Sequence, residues 1–250
     1  MKLHRRVVRL RGRDHTVITL RPDSRARFST NNFDGNWNIL SDLHGARVLG
    51  RLLWGLSYQA RPGTLVLIDE PRLDTNPFDA EPAQLIALIP EGLTGETPGL
   101  MAELRRSRAR RAAPTGTVRW QTPGLDLAVA QMPHWHQGPH VAVEVVRSVS
   151  GVLTVALSPG SMRTLAVLSH WMHEWWVCGH SILPIDWRDG RIQILRDYHR
   201  RVSIARQARA EVLARPDTVG LSPVDLRPLI WRHSNCVRRR RNVTLNSQAA

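Results

Sequence analysis

Between residues 117 and 157 the chain carries four short strand-like runs, TVRWQ, LDLAVAQ, HVAVEVVRS and GVLTVAL, the last pair joined through Val149-Ser150-Gly151. Runs of this length, rich in β-branched residues and bounded by turn formers, predict a sheet rather than a helical bundle. A sheet face must be covered, and SMRTLAVLSHWMHEWW follows at once with helical spacing. The economical expectation is an α+β fold: a mixed or antiparallel sheet of several short strands packed with three to four helices.

The remaining segments fill in that plan. RRVVRLRGRDHTVITLRP reads as two strands around a GRD turn, and FSTNNFDGNWN as a polar loop. Residues 39–59 place Leu40, Leu43, Val48, Leu52 and Leu56 at near-helical spacing. Glycines 45, 50 and 55 weaken that helix or mark close packing. GTLVLIDEP predicts a buried strand, and 71–100, rich in Pro, Gly and acids, a loop with at most a short helix. MAELRRSRARRAAP predicts a helix ended by Pro114, ILPIDWRDGRIQIL a hairpin turning at Asp189-Gly190, and 196–214 a basic amphipathic helix. No repeat or linker is evident, so 1–235 is expected to be one globular domain and 236–250 a mobile basic tail.

No apolar run reaches the roughly 18 residues of a membrane span. The best candidate, HVAVEVVRSVSGVLTVAL, is interrupted by Glu144 and Arg147. The N-terminal MKLHRRVVRLRGR is followed by no apolar secretory core, and two cysteines, Cys178 and Cys236, make no disulfide framework. The expectation is a cytoplasmic protein without a membrane partner.

Charge is the strongest functional signal. The net charge is +14, and Lys2 is the only lysine among 35 basic residues. The excess is uneven: +6 over residues 1–40, −4 over 41–100, +5 over 101–120, zero over 121–200 and +7 over 201–250. Blocks of arginine separated by neutral or acidic body point to a polyanionic partner. The guanidinium fork suits phosphate oxygens. Arg5, Arg6 and Arg9, then Arg105, Arg106, Arg108, Arg110 and Arg111, then Arg238, Arg239, Arg240 and Arg241 are the predicted nucleic-acid-binding residues. Such contacts go to the backbone and carry little sequence preference. Trp120, Trp187 and Trp231 lie near basic residues and are candidates for stacking on bases. No helix-turn-helix, zinc-finger or RNP pattern accompanies them.

Enzymatic readings rest on three local patterns. TLVLIDEPRLD resembles the Walker B strand of ABC-type ATPases over eleven residues, ending in Asp69 and Glu70. No P-loop accompanies it, because the chain has no G-K-[ST] lysine, and the pattern also fits a buried strand running into an acidic loop. MPHWHQGPH contributes His134 and His136, alternate residues that share a face if the segment is a strand. This His-hydrophobic-His pair resembles the ligand pair of the HUH endonucleases. That resemblance implies a DNA-nicking reaction in which His134 and His136 hold Mg²⁺ or Mn²⁺ and Tyr198, on the basic helix, is the nucleophile. The chain departs from the family after His136, running Gln137-Gly138-Pro139 instead of an apolar strand. The cupin pattern fits less well still, since seven residues separate His136 from Glu144.

SHWMHEWWVCGH concentrates His170, His173, Glu174, Cys178 and His180. At about 100° per residue, Leu165, Leu168, Met172, Trp175 and Trp176 share one side of a helix, and His170, His173 and Glu174 the other. The order H-x-x-H-E misses the zincin patterns. His170 and His173 are therefore candidate metal ligands only if a second element, such as HWHQGPH, meets them. No other cofactor is implied.

Overall fold

The computed structural model describes residues 1–95, 97–107, 112–131, 145–171, 180–184 and 191–248. Among them eleven strands and six helices form two compact units. The larger comprises Met1–Leu73 and Gln84–Arg196, the smaller Asp74–Ala83 and Asp197–Ala250. The α+β class is as expected from the sequence.

Tight turns with two left-handed residues organise the larger unit. β1 (Lys2–Leu10) and β2 (Arg13–Thr19) reverse at Arg11 and Gly12, whose φ angles are 52° and 75°. Such pairs match the twist of a two-residue hairpin. The same device at Asp34-Gly35 joins β3 (Phe28–Phe33) to β4 (Asn36–Ser41). FSTNNFDGNWN is thus a hairpin and not the loop its polarity suggested. Phe28 and Ile39 on its inner face are buried, which repays pairing of otherwise polar strands.

The chain continues through α1 (Leu43–Leu56), β5 (Thr64–Ile68) and β6 (Leu85–Pro90). β6 corrects the expectation of loop over 71–100. LIALIP is wholly buried between β5 and β9, although Pro, Gly and acidic residues flank it. A short continuous apolar run is what a strand covered on both faces requires. After α2 (Pro98–Arg106) and β7 (Gly116–Arg119) comes α3 (Leu125–Ala130), where LDLAVAQ had predicted a strand. Leu125 and Ala128, three apart, are its buried positions, so the run keeps helical rather than alternating periodicity.

β8 (Val145–Val149) and β9 (Val152–Leu157) form the third such hairpin, turning at Ser150-Gly151, and α4 (Pro159–Trp171) follows. β10 (His180–Pro184) pairs antiparallel with β11 (Arg191–Leu195), as a hairpin requires; the turn expected at Asp189-Gly190 lies outside the described residues.

The strands make a seven-stranded mixed sheet, β7-β1-β2-β5-β6-β9-β8, and a four-stranded sheet, β10-β11-β4-β3. Parallel pairs β2–β5, β6–β9 and β11–β4 need crossovers, which the helices supply. One face of the large sheet presents Val66, Ile68, Ile86, Leu88, Leu153 and Val155 to α1, α4 and the small sheet. The other presents Leu65, Leu67, Ala87 and Ile89 to Leu100, Met101 and Leu104 of α2.

α1 begins at Asp42, whose Oδ1 accepts from the Gly45 amide at 2.7 Å. Its glycines mark close approaches. A Cβ on Gly50 would lie 2.8 Å from the Ala166 carbonyl oxygen of α4, and one on Gly55 2.2 Å from the Trp120 indole nitrogen.

The smaller unit is a helical hairpin, α5 (Tyr198–Leu213) and α6 (Pro223–Gln248), with the segment 74–83. Leu226, Ile230 and Val237 of α6 pack on Ile204, Ala208 and Val212 of α5. From Cys236 onward the basic stretch, expected as a mobile tail, is helical as far as Gln248. The same buried stripe extends through it at Val237. Ion pairs add to the packing: Arg227 grips Glu81 with two hydrogen bonds, and Arg206 meets Asp74 at 3.1 Å. Among the described residues no helix is long and apolar enough to cross a membrane.

Candidate nucleic-acid interface

The predicted phosphate-binding arginines divide by what their guanidinium groups already hold. On β1, Arg5, Val7 and Arg9 share an exposed face. Arg6 points the other way, half-buried, donating from Nε to the Ala112 carbonyl at 3.0 Å and from a terminal nitrogen to Thr19 Oγ1. It ties the segment after α2 to the sheet and is committed to structure. Arg9 stands across the ladder from Asp14, whose carboxylate offsets part of its charge.

Arg105 is committed in the same way. It donates to the Ser150 carbonyl at 3.3 Å, and its guanidinium lies over Gly151 in the β8–β9 turn. Arg106 is exposed, with Nε on the Ala102 carbonyl of its own helix at 3.2 Å. Arg108, Arg110 and Arg111 lie outside the described residues.

In the smaller unit the helix separates the four consecutive arginines. Arg240 donates to Glu211 at 2.6 Å, and Arg241 reaches Gln207 at 2.6 Å and Ser203 at 3.0 Å, all on α5. Arg238 and Arg239 face away from these partners and make no ion pair or hydrogen bond through their guanidinium groups among the described residues. Asn235, Arg238 and Arg239 follow Trp231 at +4, +7 and +8, so all four lie along one side of α6; Asn242, farther along, instead accepts from Arg200 of α5. Between Leu226 and Gln248 there are six arginines and no acidic residue.

The tryptophans sort equally clearly. Trp120 is 3% exposed and donates its indole N–H to the carbonyls of Arg51 and Leu52, so it is a core residue. Trp187 lies outside the described residues. Trp231 is 56% exposed on the basic side of α6.

Glu211 is the electrostatic centre of the α5–α6 contact. Hydrogen bonds from His233, Gln207 and Arg240 lower its pKa from the ordinary 4.5 to about 2. A carboxyl whose folded pKa is depressed contributes stability that is complete above 4.5 and is lost as pH falls toward 2. Thermal stability of the helical hairpin should therefore fall as pH drops across that window, and Glu211→Gln should flatten the dependence. An unchanged acid profile in the variant would show that the three hydrogen bonds contribute nothing. Asp79, beside Arg227, has its pKa raised by burial.

The candidate metal and nucleophile residues are not assembled into a site among the described residues. His134, His136 and His173 lie outside them, as do Glu174 and Cys178. His170, read as part of an outward polar face, is instead largely buried against α1, its Cβ 3.6 Å from the Cβ position of Gly50. The correction has a physical cause: without a side chain, Gly50 lets α4 come close enough that its polar side meets α1. Burial, aided by Arg51, lowers the His170 pKa, and the Asp126 carboxylate stands 3.9 Å away. No group of three or more His, Cys, Asp or Glu is placed to hold a metal among the described residues.

Tyr198 occupies the first turn of α5 with its ring fully buried and edge-on to His199. A tyrosine that attacks a DNA phosphate must present its hydroxyl to the strand, and this one is enclosed. Asp69 and Glu70 follow the buried β5 into a 3₁₀ turn, the strand-to-acidic-loop arrangement. A cavity bounded by Ile39, Leu49, Leu53, Val155 and Leu165 is aliphatic and presents no acid, base or nucleophile. No family model matches the chain, and neither a curated protein nor a solved structure matches it.

Proposed function

We propose that the protein binds nucleic acid through the phosphate backbone, with Arg238 and Arg239 of α6 as principal contacts; Arg5 and Arg9 of β1 form a separate candidate face on the larger unit. The observation that carries the proposal is the α6 face itself. It presents two guanidinium groups without an ion-pair or hydrogen-bond partner among the described residues, on a helix without a carboxylate from Leu226 to Gln248. A guanidinium already paired with a carboxylate must give up that pair to take a phosphate. A free one gives up only water, and its planar fork then fits two phosphate oxygens. Backbone contacts of this kind position a partner without reading its sequence.

The proposal is tested by comparing a phosphodiester oligonucleotide with an uncharged-backbone analogue of the same sequence, each titrated with the full chain. Binding confined to the charged oligonucleotide is the expected result. Equal affinity for both would remove phosphate as the recognised group.

A further inference from the structure

We infer that α6 selects single-stranded over duplex nucleic acid, with an unpaired base stacking on Trp231 while Arg238 and Arg239 hold neighbouring phosphates. The inference rests on the backbone-binding proposal above and adds the substrate class. Tryptophan carries a large apolar ring that folding ordinarily buries. Here the ring is 56% exposed and makes no ring contact among the described residues. Its own helix has ample room to bury side chains, since Leu226, Ile230 and Val237 do so against α5. Trp231 stands off that stripe, about 100° round the helix from Ile230, in line with Asn235, Arg238 and Arg239.

At 1.5 Å rise per residue, Arg238 and Arg239 lie about 10–12 Å farther along the axis. A strand laid along this face would meet an aromatic ring first and then two cations, the combination used for unpaired strands: stacking on bases and charge on the backbone. Arg232, the next residue after Trp231, adds an exposed cation at the same level of the helix. Bases in a duplex are stacked on one another and offer their edges, not their faces. Only a single strand can use the indole. Val224 and Pro228 precede Trp231 on the same side and are also exposed, so an apolar protein surface is the competing occupant. The charge beyond Trp231 favours the polyanion, because an apolar partner gains nothing from a cationic run without carboxylates.

The experiment measures fluorescence anisotropy of a labelled oligothymidylate and of a labelled duplex of equal length, with the full chain at one salt concentration. The wild type should prefer the single strand. Trp231→Ala should weaken single-strand binding about 5- to 150-fold and leave duplex binding unchanged. Trp231→Phe, which keeps a ring, should retain most of the affinity. The exposed position of the side chain should leave helicity intact, which far-UV circular dichroism checks. Equal affinity for the two nucleic acids, or equal losses on both in Trp231→Ala, would overturn the inference while leaving backbone binding in place. Binding to neither would overturn both. Self-association that vanishes in Trp231→Ala, with single-strand affinity unchanged, would assign the face to a protein partner and overturn the inference.

Discussion

Replacing Trp120 with alanine is expected to cost the larger unit about 3–5 kcal/mol, seen as a lower Tm and a lower denaturant midpoint. The ring is 3% exposed and occupies the space opened by Gly55 on α1. Its indole N–H is shared between the carbonyls of Arg51 at 3.1 Å and Leu52 at 3.3 Å, and its backbone amide donates to the Met1 carbonyl at 2.7 Å. Truncation would leave a cavity and lose a hydrogen bond that joins the end of β7 to α1. The reciprocal change, Gly55→Ala, should also destabilise, by about 1–3 kcal/mol from overpacking. Alanine is the better helix former by about 1 kcal/mol, so helix propensity alone predicts the opposite sign. A stabilised Gly55→Ala protein would therefore refute the close contact between Gly55 and Trp120.

Converting Arg238 and Arg239 together to alanine should reduce single-strand affinity about 25-fold at 0.1 M salt. Each lost phosphate contact takes about 0.7 from the salt slope, which is about 0.7 of a decade in affinity at that concentration. The adjacent pair provides the control. Arg240→Ala and Arg241→Ala remove bonds to Glu211, Gln207 and Ser203, so they should lower the stability of the helical hairpin while changing affinity much less. If all four substitutions weakened binding equally, the division of the run into outward and inward arginines would be wrong.

That division marks the limit of what was legible in the sequence. RRRR counts as one block of charge until it is placed on a helix, where successive residues turn by about 100°. The helix itself left a trace: Leu226, Ile230, Ser234 and Val237 recur at spacings of four, four and three, after a Ser222–Asp225 cap. The polar and basic residues between them obscured that stripe. The reversal at Ser150-Gly151 was readable; the first one reads as a turn over Gly12-Arg13-Asp14, whereas the chain turns at Arg11-Gly12, and Arg13 and Asp14 already belong to β2. Asp34-Gly35 was hidden by its asparagine-rich surroundings.

The α1 glycines announced close packing, and Gly50 and Gly55 meet Ala166 and Trp120. Their partners lie 116 and 65 residues away, and no local pattern names a contact at that separation. His170 was misplaced for the same reason. A helical wheel sorts residues by chemistry, but whether the polar side faces water depends on the neighbouring helix. Parallel pairing of β2 with β5 and β6 with β9 is likewise a property of the assembled sheet.

The central claim, that phosphate is bound by arginines left free on the surface, is tested most directly by the salt dependence of binding. The measurement is the slope of log K against log salt for the full chain and a single-stranded oligonucleotide. Contacts from Arg238 and Arg239 predict a slope of about −1.4. In the Arg238→Ala, Arg239→Ala double variant the slope should become shallower by about 1.4. A slope near zero in the wild type, or one that the double variant leaves unchanged, would contradict the account.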